Sequence, residues 1–178
     1  MTHEIIMAGF GGQGVMAMGK ILAEAALKEG KNVSWLPSYG PEMRGGTANC
    51  NVIVSDEPVG APVVSEATAA LILNRPSLDK FEGDVIPGGV LIINSSLIDQ
   101  KATRDDIKVY YVPANDIANE LGNGRIMNMV MLGAYLEASG AAKQDTIMEI
   151  ITEIFSGKKA SVIPINKEAL VRGAACIK

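Results

Sequence analysis

The sequence predicts a single α/β domain built on an open, mostly parallel sheet flanked by helices. Three observations lead there. Ile5-Ile6-Met7-Ala8 is a continuous apolar run closed by a glycine-rich turn, as expected of a strand buried on both faces. A segment with helical apolar spacing follows at once, and a second strand follows that. Beyond it, apolar strands keep alternating with helical patterns over the 178 residues, with no internal repeat, low-complexity tract or long linker to divide the chain.

Taken in order, the first helix runs from about Gly14 to Lys28, with Val15, Met18, Leu22 and Ala25 or Ala26 on one face and Gly30 placed to end it. Asn32 to Leu36 forms the second strand. From Thr47 to Val54 the chain alternates, putting Ala48, Cys50, Val52 and Val54 on one face and Thr47, Asn49 and Asn51 on the other, so a half-buried strand is expected. Strands follow at Ala69 to Leu73, Val90 to Asn94 and Val109 to Val112, with turn chemistry at Pro58 to Pro62 and at Pro87-Gly88-Gly89. Helices fill Asn115 to Leu121, Arg125 to Ser139, Asp145 to Phe155 and Lys167 to Ala175. In the third of these, Ile147, Ile150, Ile151, Ile154 and Phe155 make one apolar stripe. The alternation is Rossmann-like.

Composition excludes several functions. Apolar residues make up 48% of the chain and aromatics only 4%, so the core is filled by aliphatic side chains. A net charge of -4 and the lack of a Lys/Arg cluster along the chain argue against nucleic-acid binding, which draws on basic surface. Two cysteines, Cys50 and Cys176, and one histidine, His3, are too few for a four-thiolate iron-sulfur cluster or an ordinary zinc site, so no metal site is expected. The longest apolar run, around Met127 to Leu136, falls well short of the ~20 residues of a membrane span. With no basic leader before the first strand, a cytoplasmic protein with reduced thiols is expected.

Two motifs carry the chemistry. Gly9, Gly11 and Gly14 satisfy G-x-G-x-x-G between a strand and a helix, with Gly12 and Gln13 inside the turn. Such a turn lets a phosphate approach the backbone at a helix N-terminus. Bound NAD also needs an acid at the end of the second strand to hold the ribose. Val33-Ser34-Trp35-Leu36-Pro37-Ser38 offers none. Gly14 to Ile21 also approaches the phosphate-loop pattern, but Ile21 has no hydroxyl for Mg²⁺ and the segment reads as helix.

The second motif is the loop Ser38-Tyr39-Gly40-Pro41-Glu42-Met43-Arg44-Gly45-Gly46. Its glycines and proline display Glu42, Met43 and Arg44 at the carboxyl edge of the sheet, where Arg44 could grip a phosphate or carboxylate. The plainer reading is a solvated loop with a Glu42 to Arg44 pair. Asn74, Asn94, Ser95, Ser96, Arg125 and Asn128 read as ordinary turn, cap and helix residues, and the Met127, Met129, Met131 stripe as adaptable core. No Ser/His/Asp or Cys/His catalytic set can be drawn, so no catalytic residue is assigned.

Gly9-Phe10-Gly11-Gly12-Gln13-Gly14-Val15, the Ser38 to Thr47 loop and Asn128-Met129-Val130-Met131-Leu132-Gly133-Ala134 together resemble the gamma subunit of 2-oxoacid:ferredoxin oxidoreductases. The likeness spans nearly the whole chain, so residues 1–178 are expected to form one gamma-type domain. The related small subunit of indolepyruvate:ferredoxin oxidoreductase shares the glycine turn but usually carries a Met-Ala-Gln-Arg-Gly-Gly loop. Pro41-Glu42-Met43 before Arg44 favours the former.

The resemblance implies a multisubunit enzyme that decarboxylates a 2-oxoacid on thiamine diphosphate, passes electrons through iron-sulfur clusters to ferredoxin and delivers the acyl group to coenzyme A. Thiamine diphosphate, Mg²⁺ and the clusters are then expected on alpha, beta and ferredoxin-like delta partners. The gamma chain would contact coenzyme A and have no turnover alone. Gly9, Gly11, Gly12, Gln13, Gly14, Ser38, Tyr39, Gly40, Glu42, Arg44, Gly45 and Gly46 would form the edge facing coenzyme A or a partner. The substrate leans towards 2-oxoglutarate or a branched-chain 2-oxoacid over pyruvate. The competing readings are a self-sufficient NAD(P)-dependent dehydrogenase and a nonenzymatic nucleotide-binding or scaffold module.

Overall fold

The computed structural model describes residues 1–40 and 46–178. Among them the strands β1 (Thr2–Phe10), β2 (Asn32–Tyr39), β3 (Thr47–Ser55), β4 (Ala67–Ile72), β5 (Val85–Asn94) and β6 (Lys108–Val112) form one sheet in the order β2-β3-β1-β4-β5-β6. β1, β4, β5 and β6 pair in parallel, while β3 lies antiparallel between β2 and β1. The sheet is therefore mostly parallel, with a single reversed strand. The helices are α1 (Val15–Lys28), α2 (Arg75–Phe81), α3 (Ala114–Glu120), α4 (Met127–Ser139), α5 (Gln144–Ile154) and α6 (Ile163–Ala174).

The continuous apolar run in β1 has a simple cause. Ile5 and Met7 join the core under α1, α3, α4, α5 and α6, whereas Ile6 and Ala8 face the opposite layer with Leu78 of α2, Val64 and Ile98. Adjacent residues of a strand point to opposite faces, so both sets must be apolar. The helices are divided unequally: α2 alone, with connecting segments, covers the second face.

Helix α1 ends as expected. Gly30 has φ 83, its amide donates to the Leu27 carbonyl at 3.0 Å and the Lys31 amide donates to Ala26 at 3.0 Å, which satisfies the last carbonyls of the helix. Helix α4 is buried almost all round from Met127 to Leu136, so its methionines are core. It packs closely on α6: a Cβ at Gly133 would strike the Leu170 carbonyl, and one at Gly173 would strike the Val130 carbonyl.

Several boundaries differ from expectation. β2 continues through Pro37 to Tyr39, because an edge strand tolerates a residue without an amide. Pro87-Gly88-Gly89 lies inside β5 at a register irregularity instead of forming a turn before it, with the Gly88 amide donating to Asp106 at 2.7 Å. The helix α2 was hidden in a seven-residue stretch, where Asn74 Oδ1 accepts from the Ser77 amide at 3.0 Å and a proline occupies the first turn. α6 starts at Ile163, ahead of the expected Lys167. Ile154 leaves the predicted stripe and is 44% exposed. No helix of the described residues is long and apolar enough to cross a membrane.

Candidate functional site

The glycine turn leaves the carboxyl end of β1 and opens α1. Gln13 closes it on itself: its side-chain Oε1 accepts from the Phe10 amide at 2.6 Å, and its own amide donates to the Phe10 carbonyl at 3.2 Å. Gly9 is a packing residue, since a Cβ there would come within 2.5 Å of Gln13 Oε1 and 2.9 Å of Leu73 Cβ. Gly14 takes the left-handed conformation, φ 78, as the N-cap of α1. Its bare side faces Asn128 of α4, whose Nδ2 donates to the Gly14 carbonyl at 3.1 Å. The missing side chain at Gly14 therefore admits a helix-borne asparagine.

Gly12, with φ 94, has open space where a Cβ would stand. A cleft of about 310 Å³ lies over this turn, bounded by Gly11, Gly12, Gly14, Met16, Ala17 and Tyr39. No side chain caps α1 and no acidic residue lies in its first turn. The amides at that end keep their partial positive charge, which favours an anion.

The second motif meets the first directly. β2 and β3 are a hairpin whose intervening loop begins at Gly40 and returns at Gly46. Gly40 donates to the Thr47 carbonyl at 2.8 Å, and a Cβ there would meet Thr47 Oγ1 at 2.6 Å. The Gly11 amide donates to the Gly46 carbonyl at 2.9 Å, tying loop to turn. Ser38 pairs with Asn49 and Tyr39 with Ala48, and Tyr39 is 56% exposed at the cleft wall. Glu42, Arg44 and Gly45 lie outside the described residues, as do Pro41 and Met43.

Topology explains the missing ribose acid. β3 occupies the place beside β1, so the end of β2 stands two strands away, about 10 Å from the β1 axis. A carboxylate there would not reach a ribose held at the turn as it does in a dinucleotide fold. The strand that does lie alongside presents Thr47 and Ala48 opposite Phe10 and Gly9.

Other candidates separate from the turn. His3 lies at the opposite end of β1, seven residues and about 23 Å from Phe10. Cys50 is fully buried beneath α1, where a Cβ at Gly19 would come within 2.5 Å of its sulfur, and burial pushes its thiol up to about 12. It is a small core residue. Asn94 lies on the same carboxyl edge, two strands across from β1, and ties strand ends together there: its Nδ2 donates to Asn115 at 2.7 Å and to the Leu73 carbonyl at 3.4 Å, and its Oδ1 accepts from Ala114 at 3.2 Å. Among the described residues no three His, Cys, Asp or Glu side chains gather as a metal site. Asn128, read from the sequence as an ordinary helix residue although it opens one of the motifs that carry the resemblance, is the contributor whose role at the turn only the fold reveals.

The described residues define an α/β domain, one mostly parallel sheet with a glycine turn tied to Gly46 at its carboxyl edge. Residues 4–176 match the pyruvate ferredoxin/flavodoxin oxidoreductase family, and the chain belongs to it, as a member of the gamma-subunit type. It is 42% identical to the ketoisovalerate oxidoreductase subunit VorA of Methanothermobacter marburgensis over 96% of this chain and 36% of that one. The chain thus spans about a third of that relative's length. It is 34% identical to the 2-oxoglutarate synthase subunit KorC of Methanocaldococcus jannaschii, over 86% and 83% of the two chains. Among solved structures, the keto/oxoacid ferredoxin oxidoreductase gamma subunit of Geobacter sulfurreducens superposes with a TM-score of 0.82 at 30% identity, covering 98% and 97% of the chains.

Proposed function

We propose that the chain is the gamma component of a thiamine diphosphate-dependent 2-oxoacid:ferredoxin oxidoreductase. The reaction converts a 2-oxoacid and coenzyme A into acyl-coenzyme A and CO2, and two electrons reduce ferredoxin. Thiamine diphosphate with Mg²⁺ and the iron-sulfur clusters belong to alpha, beta and delta partners, where thiamine diphosphate supplies the decarboxylation chemistry. The isolated chain has no turnover. A branched-chain 2-oxoacid or 2-oxoglutarate is the preferred substrate class, in keeping with the VorA and KorC relatives.

This chain's own part is to present the coenzyme A-facing edge. One observation supports that reading: the Gly11 amide bound to the Gly46 carbonyl ties the glycine turn to the start of β3, beside an uncapped helix N-terminus. The open position at Gly12 lets an anionic group approach backbone amides there. Gly9 and Gln13 keep the turn closed, Gly14 seats α1, and Ser38, Tyr39, Gly40 and Gly46 shape the wall. Arg44 grips an anionic group of coenzyme A through its planar fork, with Glu42 orienting it and Gly45 freeing the backbone.

The test is Arg44→Ala in the assembled enzyme. Loss of a charge-assisted contact should raise the KM for coenzyme A by about tenfold or more, with subunit stoichiometry retained. An unchanged KM would overturn the role of Arg44. Failure of the wild-type chain to co-purify with a cluster-bearing, thiamine-dependent partner would overturn the assignment itself.

A further inference from the structure

A second concavity, of about 430 Å³, opens on the other flank of the first turn of α1. Its floor is apolar, from Ile21, Met129 and Phe155, and its rim carries Arg125, Lys158 and Lys159. These cations come from two separate 3₁₀ segments, Gly124–Ile126 before α4 and Gly157–Val162 before α6. In sequence they are more than thirty residues apart, and only the fold brings them to one cleft.

The rim is positive without internal compensation. Among the described residues no carboxylate lies within salt-bridge distance of Arg125, Lys158 or Lys159, a property they share with other surface cations such as Arg75 and Lys80; what sets them apart is that all three line one cleft. The backbone under Arg125 is held, since Asn123 Oδ1 accepts from its amide at 3.0 Å. A lining that joins apolar side chains, the Phe155 ring and a cationic rim matches a ligand with an aromatic body and a phosphate. The volume falls in the range of small-molecule sites.

The cleft also adjoins the glycine turn. Ala17 lines both concavities. Asn128 lines this one and bonds the Gly14 carbonyl at 3.1 Å, so the two share a wall. A single ligand lying over the first turn of α1 would reach both.

We propose that this cleft is the subsite for the phosphorylated nucleoside end of the ligand: the base packs over Ile21, Met129 and Phe155, and a phosphomonoester lies between Arg125, Lys158 and Lys159. The proposal rests on the coenzyme A reading, because coenzyme A carries a 3′-phosphomonoester on its adenosine apart from its diphosphate. The diphosphate faces the turn and the 3′-phosphate faces the cleft.

The experiment measures binding to the purified full-length complex by calorimetry, with coenzyme A, 3′-dephospho-coenzyme A and adenosine 3′,5′-bisphosphate as probes. Two variants are compared with wild type, Arg125→Ala and the pair Lys158→Ala with Lys159→Ala. The expected result is that both weaken coenzyme A and the bisphosphate by about tenfold or more, leave the dephospho compound nearly unaffected, and lower the salt dependence of coenzyme A binding. Equal loss for both coenzyme A forms would overturn the 3′-phosphate assignment. Unchanged binding in these variants, with binding still weakened by Arg44→Ala, would overturn the subsite and leave the coenzyme A reading standing. Loss of subunit assembly with unaltered affinity in the complexes that form would make the rim a protein interface and overturn the proposal. Absence of coenzyme A binding by the wild-type complex would remove the reading on which it rests.

Discussion

At the scale of single residues, the site is governed by side chains that satisfy backbone. Gln13 folds the turn by accepting from the Phe10 amide, and Asn128 meets the Gly14 carbonyl from another helix. The first could be read as part of a local pattern, but the second joins positions 114 residues apart and has no local signature. His3 illustrates a different dependence. Burial, then the N-terminal ammonium and Lys31, hold its pKa below the usual 6.5, while Asp56 acts the other way. The unfolded chain therefore binds the proton first. Stability conferred by the neutral ring is present above pH 6.5 and declines as pH falls from there towards the folded-state value. Melting temperatures taken between pH 7.5 and 5.5 should fall in the wild type and fall less in His3→Gln. Identical slopes would show that the histidine contributes nothing.

At the scale of elements, glycine acts less as a hinge than as a point of close approach. Helices α4 and α6 meet where Gly133 abuts the Leu170 backbone and Gly173 abuts the Val130 backbone. Neither contact can relax by turning a side chain, because the obstructing atom is a carbonyl. Gly133→Ala and Gly173→Ala should each cost about 2 to 3 kcal/mol or more by overpacking, despite alanine's better helix propensity. Urea midpoints measured at unchanged slope would show it. The helices themselves were largely legible in periodicity and capping, with α2 the exception. Its seven residues are too few to show a period, and only the Asn74 cap and its proline mark it. Boundaries at Pro37 and Pro87 were missed for one reason: proline reads as punctuation, yet an edge strand and a register irregularity both tolerate it.

At the scale of the whole molecule, one sheet divides two apolar layers, and β3 is clamped between β1 and β2 with α1 packed across it. The hairpin should therefore unfold with the rest. Trp35, the one tryptophan, lies on edge strand β2 and reports on it. Its fluorescence and the far-ultraviolet circular dichroism should trace a single coincident denaturant transition, and an earlier fluorescence change would show a separately melting hairpin. By itself the sequence determined the α/β class, the buried parallel core, the glycine turn and the resemblance that family membership later matched, because these rest on local periodicity and on contiguous motifs. Tertiary structure alone decided that β3 intrudes between β1 and β2, that the turn is clipped to Gly46, and that Arg125 joins Lys158 and Lys159 on one cleft. The physical reason is common to all three. Strand order and convergence of distant side chains are set by how the apolar layers pack, and neither leaves a periodic trace along the chain.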